Sequence, residues 1–172
     1  GSALHFFDQQ GFNCFGVDIA ENDVREAQNL MPKISNQIKV IDPEPKQNEV
    51  FFDEQMDVVI SIQTLDFLSN SDFQIVIKNL YDNLKVGGKI YASMNGWDMY
   101  YRQHAKYVED GLWHVQFDNG RVSYDYFSNF VRDKDEMKKK FRLFKPVYLD
   151  HYDSSFRHEG SEHRFTFFGV KE

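Results

Sequence analysis

Hydrophobic positions along this chain switch repeatedly between a period near 3.6 and continuous short runs, and the switches mark out the elements. Residues 3–10 place Leu4, Phe6 and Phe7 at near-helical spacing, with Gly11 following as a stop, which predicts a helix. Residues 12–17 then carry Phe12, Cys14, Phe15 and Val17 in an almost unbroken apolar run. A run of that kind predicts a strand covered on both faces, as in a parallel sheet. Helical spacing returns over residues 22–30 through Val24, Ala27 and Leu30, with Asn22 as the expected N-cap and Pro32 closing the segment.

The alternation continues downstream. A strand is predicted over 38–41, and the prolines of Asp42-Pro43-Glu44-Pro45 make that stretch a loop. A second apolar run predicts a strand over 57–61. A helix follows over 72–84, with Phe73, Val76, Ile77, Leu80 and Leu84 as its apolar face. Gly87-Gly88 then turns the chain into a strand over 89–93. Beyond this point the pattern changes: residues 97–130 hold ten aromatics, including both tryptophans, interleaved with Arg102, His104, Lys106, His114 and Arg121. A polar helix over 133–141 and strands over 146–152 and 164–170, with Gly160 in the turn between them, close the sequence. Alternating strands and helices of this order predict an α/β fold: a doubly wound, mostly parallel sheet with helices on both faces and an antiparallel C-terminal strand hairpin. We read residues 1–172 as a single domain, with an aromatic-rich cap inserted at about 95–131.

Length and charge narrow the function. The chain has 172 residues, about one domain, and a formal net charge of −7 with acidic and basic residues interspersed. Phosphate binding needs a clustered positive field, so a nucleic-acid groove is not expected. The basic run at 138–142 reads as the solvated end of a helix, where cations are favoured. No stretch approaches the roughly 20 apolar residues of a membrane span, and no basic-then-apolar leader is visible. The lone cysteine, Cys14, sits in an apolar run as a small buried hydrophobe, which fits a reducing, cytoplasmic setting.

Three segments carry the most specific signal. Residues 11–18 read Gly-Phe-Asn-Cys-Phe-Gly-Val-Asp, residues 56–61 read Met-Asp-Val-Val-Ile-Ser, and residues 84–90 read Leu-Lys-Val-Gly-Gly-Lys-Ile. In this order and at these separations they resemble the S-adenosylmethionine-dependent methyltransferases of the Rossmann-like class. That resemblance implies a first strand ending in a glycine-rich loop, whose last glycine lies about ten residues before the glycine of the second strand. Gly1 stands ten residues before Gly11, so the chain reads as starting at that last glycine, as a fragment; the alternative is that Gly1-Ser2 is a cloning remnant.

The same resemblance assigns roles. Asp18 would accept the ribose hydroxyls of the cofactor, Ile19 would pack on its adenine ring and Asp42 would hydrogen-bond the adenine amino group. Ser61, Ile62 and Gln63 would line its methionine and adenine side through backbone groups, and Gly1 would belong to the methionine-carboxylate loop. S-Adenosylhomocysteine is the implied product. Open α/β sheets bind ligands beyond the carboxyl ends of their strands, where these residues fall.

The cap supplies the candidates for the acceptor. Trp97, Tyr100, Tyr101, Trp113 and Tyr126 are candidate substrate-binding residues for a small molecule, and aromatic faces also favour a sulfonium charge. Each aromatic taken singly reads as part of a second hydrophobic cluster over the sheet edge; as a group, interleaved with the basic residues, they read as a pocket wall. Histidine has the unperturbed pKa for a general base, which makes His104 and His114 the candidate catalytic residues. The tract from His158 to His163 falls in a predicted hairpin turn where polar residues are expected, and no metal site is assigned. A nicotinamide-dependent oxidoreductase also holds ribose with an acid at the second strand's end, but requires neither the Gly-Gly turn nor the terminal hairpin. A non-catalytic methyltransferase-like scaffold is the remaining reading.

Overall fold

The computed structural model describes residues 1–155 and 160–172; His158 and Glu159 of the polar tract lie outside the described residues. The chain divides into two compact units, Gly1–Pro45 and Lys46–Glu172.

The first unit holds α1 (Ser2–Gln9), β1 (Gly16–Asp18), α2 (Glu21–Leu30) and β2 (Ile38–Val40), with β1 and β2 parallel. Gly11 ends α1 at φ +83°, a conformation that favours glycine, and its amide donates to the Asp8 carbonyl at 3.0 Å. The strand expected over 12–17 begins only at Gly16. Its apolar residues pack instead of pairing: the Phe12 amide is tied to the Phe7 carbonyl at 3.2 Å, the two rings meet edge to face at 5.6 Å, and Cys14 enters the core with Val24, Ala27, Met31, Ile34 and Ile38. The expected Asn22 cap is also displaced, because α2 starts at Glu21 after Ala20 and has no side-chain cap. Asp18 Oδ1 takes the Ala20 amide at 3.0 Å and does part of that work from outside the helix.

In the second unit a four-stranded sheet runs in the order β3 (Met56–Ile62), β4 (Leu84–Asn95), β9 (Glu162–Val170), β8 (Lys145–Ser154). Only β3 and β4, joined through α3 (Asn70–Asn83), are parallel; β4–β9 and β9–β8 are antiparallel. The α/β class holds, and the sheets are mixed where a mostly parallel, doubly wound sheet was expected. The terminal hairpin reverses the chain between β8 and β9, which makes that pairing antiparallel, and β9 also runs against β4.

Helix α3 starts two residues earlier than its apolar face suggests, because Ser69 caps it by accepting the Asp72 amide at 3.1 Å. Phe73, Ile77 and Leu84 are completely buried, and Phe73 meets Phe141 edge to face at 5.4 Å. Phe141 follows α4 (Lys134–Lys140) and stacks on Phe167 of β9 at 4.6 Å, so two helices and the sheet share one core. Gly87-Gly88 bends β4 without interrupting it, the Gly87 amide donating to Lys171 and the Lys171 amide to Gly88.

Residues 105–128 form a separate antiparallel sheet, β5 (Ala105–Glu109), β6 (Leu112–Asp118) and β7 (Ser123–Ser128), in the stretch read above as a cap. Its core is Met99, Tyr101, Val115 and Phe130. Asp133 caps α4 through the Glu136 amide at 2.8 Å. The basic run is not wholly solvated: Lys138 and Lys139 are exposed, whereas Lys140 is buried. Among the described residues no helix is long and apolar enough to cross a membrane.

Candidate functional site

Within the first unit the parallel pairing of Asp18 with Val40 brings Asp18 and Asp42 to the same, carboxyl, end of β1 and β2. The Ile41 amide donates to the Asp18 carbonyl at 2.9 Å and fixes the two strand ends together. Asp18 is exposed, and its Oδ1 is held by the Ala20 amide; Asp42 Oδ1 likewise accepts the Glu44 amide at 3.0 Å. Each carboxylate is thus oriented by the turn that follows it. Ile19, next to Asp18 in sequence, leaves 58 % of its surface exposed. Gly1 stands at the start of α1 with its carbonyl accepting the His5 amide at 2.9 Å.

Within the second unit Ser61, Ile62 and Gln63 sit at the carboxyl end of β3, where Ile62 pairs with Ser93 of β4. The Gln63 amide donates to Ser93 Oγ at 3.3 Å, and Gln63 adopts φ +57°. A non-glycine residue in the left-handed region stores strain of order 1 kcal/mol and often marks a ligand site. Ser61 is buried, and Ile62 is half exposed.

The β5–β7 sheet meets this end of β3. Tyr126 of β7 lies edge to face against Phe67, in the 3-10 turn after β3, at 6.2 Å. Burial pushes the Tyr126 hydroxyl up to about 12, which keeps it neutral and able to donate. Trp97 and Trp113 meet edge to face at 5.3 Å and line a cleft of about 230 Å³ with Tyr107, Asn129, Arg132 and Glu136. Arg102 lies 3.9 Å over the Trp97 ring and donates through Nε to the Trp97 carbonyl at 2.8 Å. Tyr100 and Tyr101 do not join that cleft; both pack on Phe117 in the cap's own core.

The two candidate histidines are not brought together. His104 lies against Tyr100 and Phe117, at ring separations of 5.4 and 4.9 Å. His114, on the alternate face of β6, stacks on Phe127 and its Nε2 is 2.7 Å from Asp125 Oδ1. That contact holds the Asp125 carboxyl below the usual carboxylate range.

Sequence reasoning missed a buried polar cluster between the β3 turn and the cap. Asp66 is 1 % exposed, its Oδ1 accepts the Asn95 amide at 2.6 Å and its carbonyl accepts the Asn129 amide at 2.7 Å. Burial raises its pKa to about 7, against the Asn95 hydrogen bond and the charges of Arg164 and Lys140. Lys140 Nζ donates to Asn70 Oδ1 at 2.9 Å and Asn129 Oδ1 at 3.1 Å. None of these residues forms a motif; only the Asp in the otherwise apolar Leu65-Asp66-Phe67-Leu68 could have signalled it. A larger cleft, about 300 Å³, is lined by Asn48, Glu49, Gln55, Asp82 and Asn83. It lies where β3 begins, the end of a parallel strand at which open α/β sheets do not bind ligands.

The profile of a family described as methyltransferase domain matches residues 1–92. A search of curated proteins gave no match. Among solved structures, the fold is similar to that of an S-adenosylmethionine-dependent methyltransferase from Methanosarcina mazei, at 17 % identity and a TM-score of 0.69 over 91 % of this chain and 81 % of that one. A protein of Pyrococcus horikoshii matches over 100 % of this chain and 77 % of its own, at 19 % identity and a TM-score of 0.71. The N-methyltransferase NodS from Bradyrhizobium japonicum, solved with S-adenosyl-L-homocysteine, matches over 90 % of this chain and 64 % of its own, at 12 % identity and a TM-score of 0.57.

Proposed function

The chain belongs to the methyltransferase domain family, and from that premise we propose that it transfers a methyl group from S-adenosylmethionine to a small-molecule acceptor. The observation that carries this reading is the placement of Asp18 at the carboxyl end of β1, oriented by the Ala20 amide and tied to the end of β2. A carboxylate so held presents its second oxygen to a vicinal diol, the recognition a nucleoside ribose requires.

The remaining roles follow strand by strand. Ile19 offers an exposed apolar face for adenine, and Asp42 an acceptor for its amino group. Gly1, opening α1, is assigned to the methionine-carboxylate loop. Ser61, Ile62 and Gln63 are assigned backbone contacts with the methionine and adenine side. When bound, the cofactor supplies an electrophilic methyl on a sulfonium.

Transfer from a sulfonium is an in-line displacement, so this chain's residues act by aligning the acceptor and excluding water. The cap at 95–131 is the proposed acceptor cover, with Trp97, Trp113 and Tyr126 presenting aromatic surface and Tyr100 and Tyr101 stiffening it from behind. Where the acceptor must lose a proton, His104 and His114 are the proposed bases. His104 has its position beside Tyr100, and His114 has Asp125 to orient its ring. The NodS structure, with S-adenosyl-L-homocysteine bound to a protein of similar fold, supports the choice of cofactor.

Calorimetric titration of S-adenosylmethionine and S-adenosylhomocysteine into the chain and into its Asp18→Ala variant tests the reading, with NADH as a control. Saturable binding of both, weakened at least about tenfold by the substitution, is the expected result; a lost charge-assisted hydrogen bond accounts for that size. Binding of NADH alone overturns the assignment, and binding of neither to folded protein favours a scaffold role.

A further inference from the structure

We propose that His151, Asp153 and His163 form a binding site for a divalent transition-metal ion on the β8–β9 hairpin, a site that stands whatever the chain transfers. The argument begins with the strand period. His151 and Asp153 are two apart on β8 and therefore share a face. Asp153 pairs directly with His163 of β9 in the antiparallel register, which puts the third side chain on that same face. The ligand atoms the three offer all lie within 4.8 Å of one another. His163 Nδ1 is 2.8 Å from Asp153 Oδ1, and the His151 and His163 rings are 5.0 Å apart.

An ordinary His–Asp pair accounts for two of these residues and not for the third. His151, with Asp150 3.5 Å from its Nδ1 and the Phe165 ring 5.9 Å away, brings a second imidazole beside that pair. Two imidazoles and one carboxylate are the donor set of zinc and other late first-row divalent ions, and not of magnesium or calcium, which require oxygen. Bonds of about 2.0–2.2 Å to such an ion set its ligands roughly 3.3–3.5 Å apart in tetrahedral geometry. The cluster closes to that spacing by small rotations of the two exposed side chains, His151 and Asp153. The ion takes the place of the proton that Asp153 and His163 Nδ1 now share. Three protein ligands leave a coordination position open for water or a substrate heteroatom.

The third ligand is preorganised. His163 is 8 % exposed, Phe165 closes on its ring edge to face at 5.2 Å, and the Gly96 amide donates to its carbonyl at 2.8 Å. A Cβ added at Gly96 would stand 2.0 Å from His163 Cδ2, so this seat for the imidazole exists only because residue 96 is glycine. Asp150 lies 3.5 Å from His151 Nδ1 and adds negative charge beside the site. Through the pairing of Asn95 with Arg164, the cluster falls just past the carboxyl end of β4.

Titration of the metal-free chain with Zn²⁺ by calorimetry, and with Co²⁺ by visible absorption, tests the site. One ion per chain is expected, with the intense d–d bands of a four-coordinate cobalt centre and a raised unfolding temperature. Because His163 is buried and its loss could unfold the hairpin, the decisive variants are His151→Ala and Asp153→Asn, whose side chains are largely exposed. Each is expected to weaken Zn²⁺ binding at least about tenfold, while His5→Ala in the first unit leaves it unchanged. No saturable uptake, or uptake with the same affinity in both variants, overturns the proposal.

Discussion

The Asn95 amide donates to Asp66 Oδ1 at 2.6 Å, joining the turn after β3 to the end of β4 inside a part of the molecule that water does not reach. The other carboxyl oxygen, Oδ2, has no hydrogen-bond partner among the described residues. A carboxyl so placed resists ionisation, and burial raises its pKa from 3.8 to about 7.

The sign of the resulting pH dependence is fixed by that upward shift. Below pH 4 the group is protonated in both states and favours neither. Between about pH 4 and pH 7 it ionises freely only in the unfolded chain, so stability falls as the pH rises, by up to about 1.4 kcal/mol per unit. Above pH 7 the cost is fully present. Asp66→Asn keeps an acceptor for the Asn95 amide and removes the titration. Urea midpoints of the wild type are expected to drop from pH 5 to pH 8 more steeply than those of the variant. Equal slopes for the two proteins would show that Asp66 ionises in the folded state without penalty.

Lys140 gives a second prediction, because its ammonium is buried against two asparagine oxygens and 4.9 Å over the Phe73 ring. Lys140→Ala leaves the buried Asn129 Oδ1 without its donor and is expected to cost about 1–3 kcal/mol of stability. Lys139→Ala, one residue away and exposed, should stay within about 0.5 kcal/mol. Denaturant unfolding of both variants checks the contrast; a small loss at Lys140 would mean that water replaces its hydrogen bonds.

The fold class was legible because burial writes itself into period. Phe73, Val76, Ile77 and Leu80 announced α3, and the runs over 57–61 and 89–93 announced β3 and β4; Leu84, expected on the helix face, instead opens β4. The same signal misled at Phe12, where an apolar run packs on Phe7 instead of entering a ladder, since hydrophobicity records burial and not hydrogen-bond partner. The cap strands were hidden because aromatics at Trp113, Phe117, Tyr124 and Tyr126 fill a core under any backbone geometry. Asp18, Asp42 and residues 61–63 could be placed from sequence because they fall at strand ends. Asp66, Lys140 and the trio of His151, Asp153 and His163 could not: each depends on a partner from another element, as Asp66 does on Asn95, Lys140 on Asn70 and Asp153 on His163, which only the folded register brings near.

Arg102 and Trp97 tie the cap together through the ring contact at 3.9 Å and the hydrogen bond at 2.8 Å. Arg102→Ala removes both and is expected to destabilise the cap by about 1–3 kcal/mol. Trp97 and Trp113 are the chain's two tryptophans, so tryptophan fluorescence reports on the cap alone. Its unfolding midpoint should fall in the variant, with a smaller change in the far-ultraviolet dichroism that follows the whole molecule. Coincident shifts of equal size would show that the cap unfolds only with the rest of the second unit.

Gln63 carries the last prediction, in which stability and binding move in opposite directions. At φ +57° an L-residue costs roughly 1–2 kcal/mol, which glycine does not incur. Glycine in turn raises the entropy of the unfolded chain by about 0.5–1 kcal/mol. The balance makes Gln63→Gly stabilising by up to about 1.5 kcal/mol, at roughly 2–4 °C per kcal/mol for a chain of this size. The strained residue also aims the Gln63 amide at Ser93 Oγ, at the carboxyl end of β3 to which cofactor contacts are assigned. Freeing that backbone loosens the turn that carries residues 61–63, so S-adenosylmethionine affinity is expected to fall as the melting temperature rises. Thermal unfolding and calorimetric titration of the one variant measure both. A gain in stability with unchanged affinity would remove Gln63 from the cofactor site, and a loss of stability would mean that its side chain holds this turn by contacts worth more than the strain.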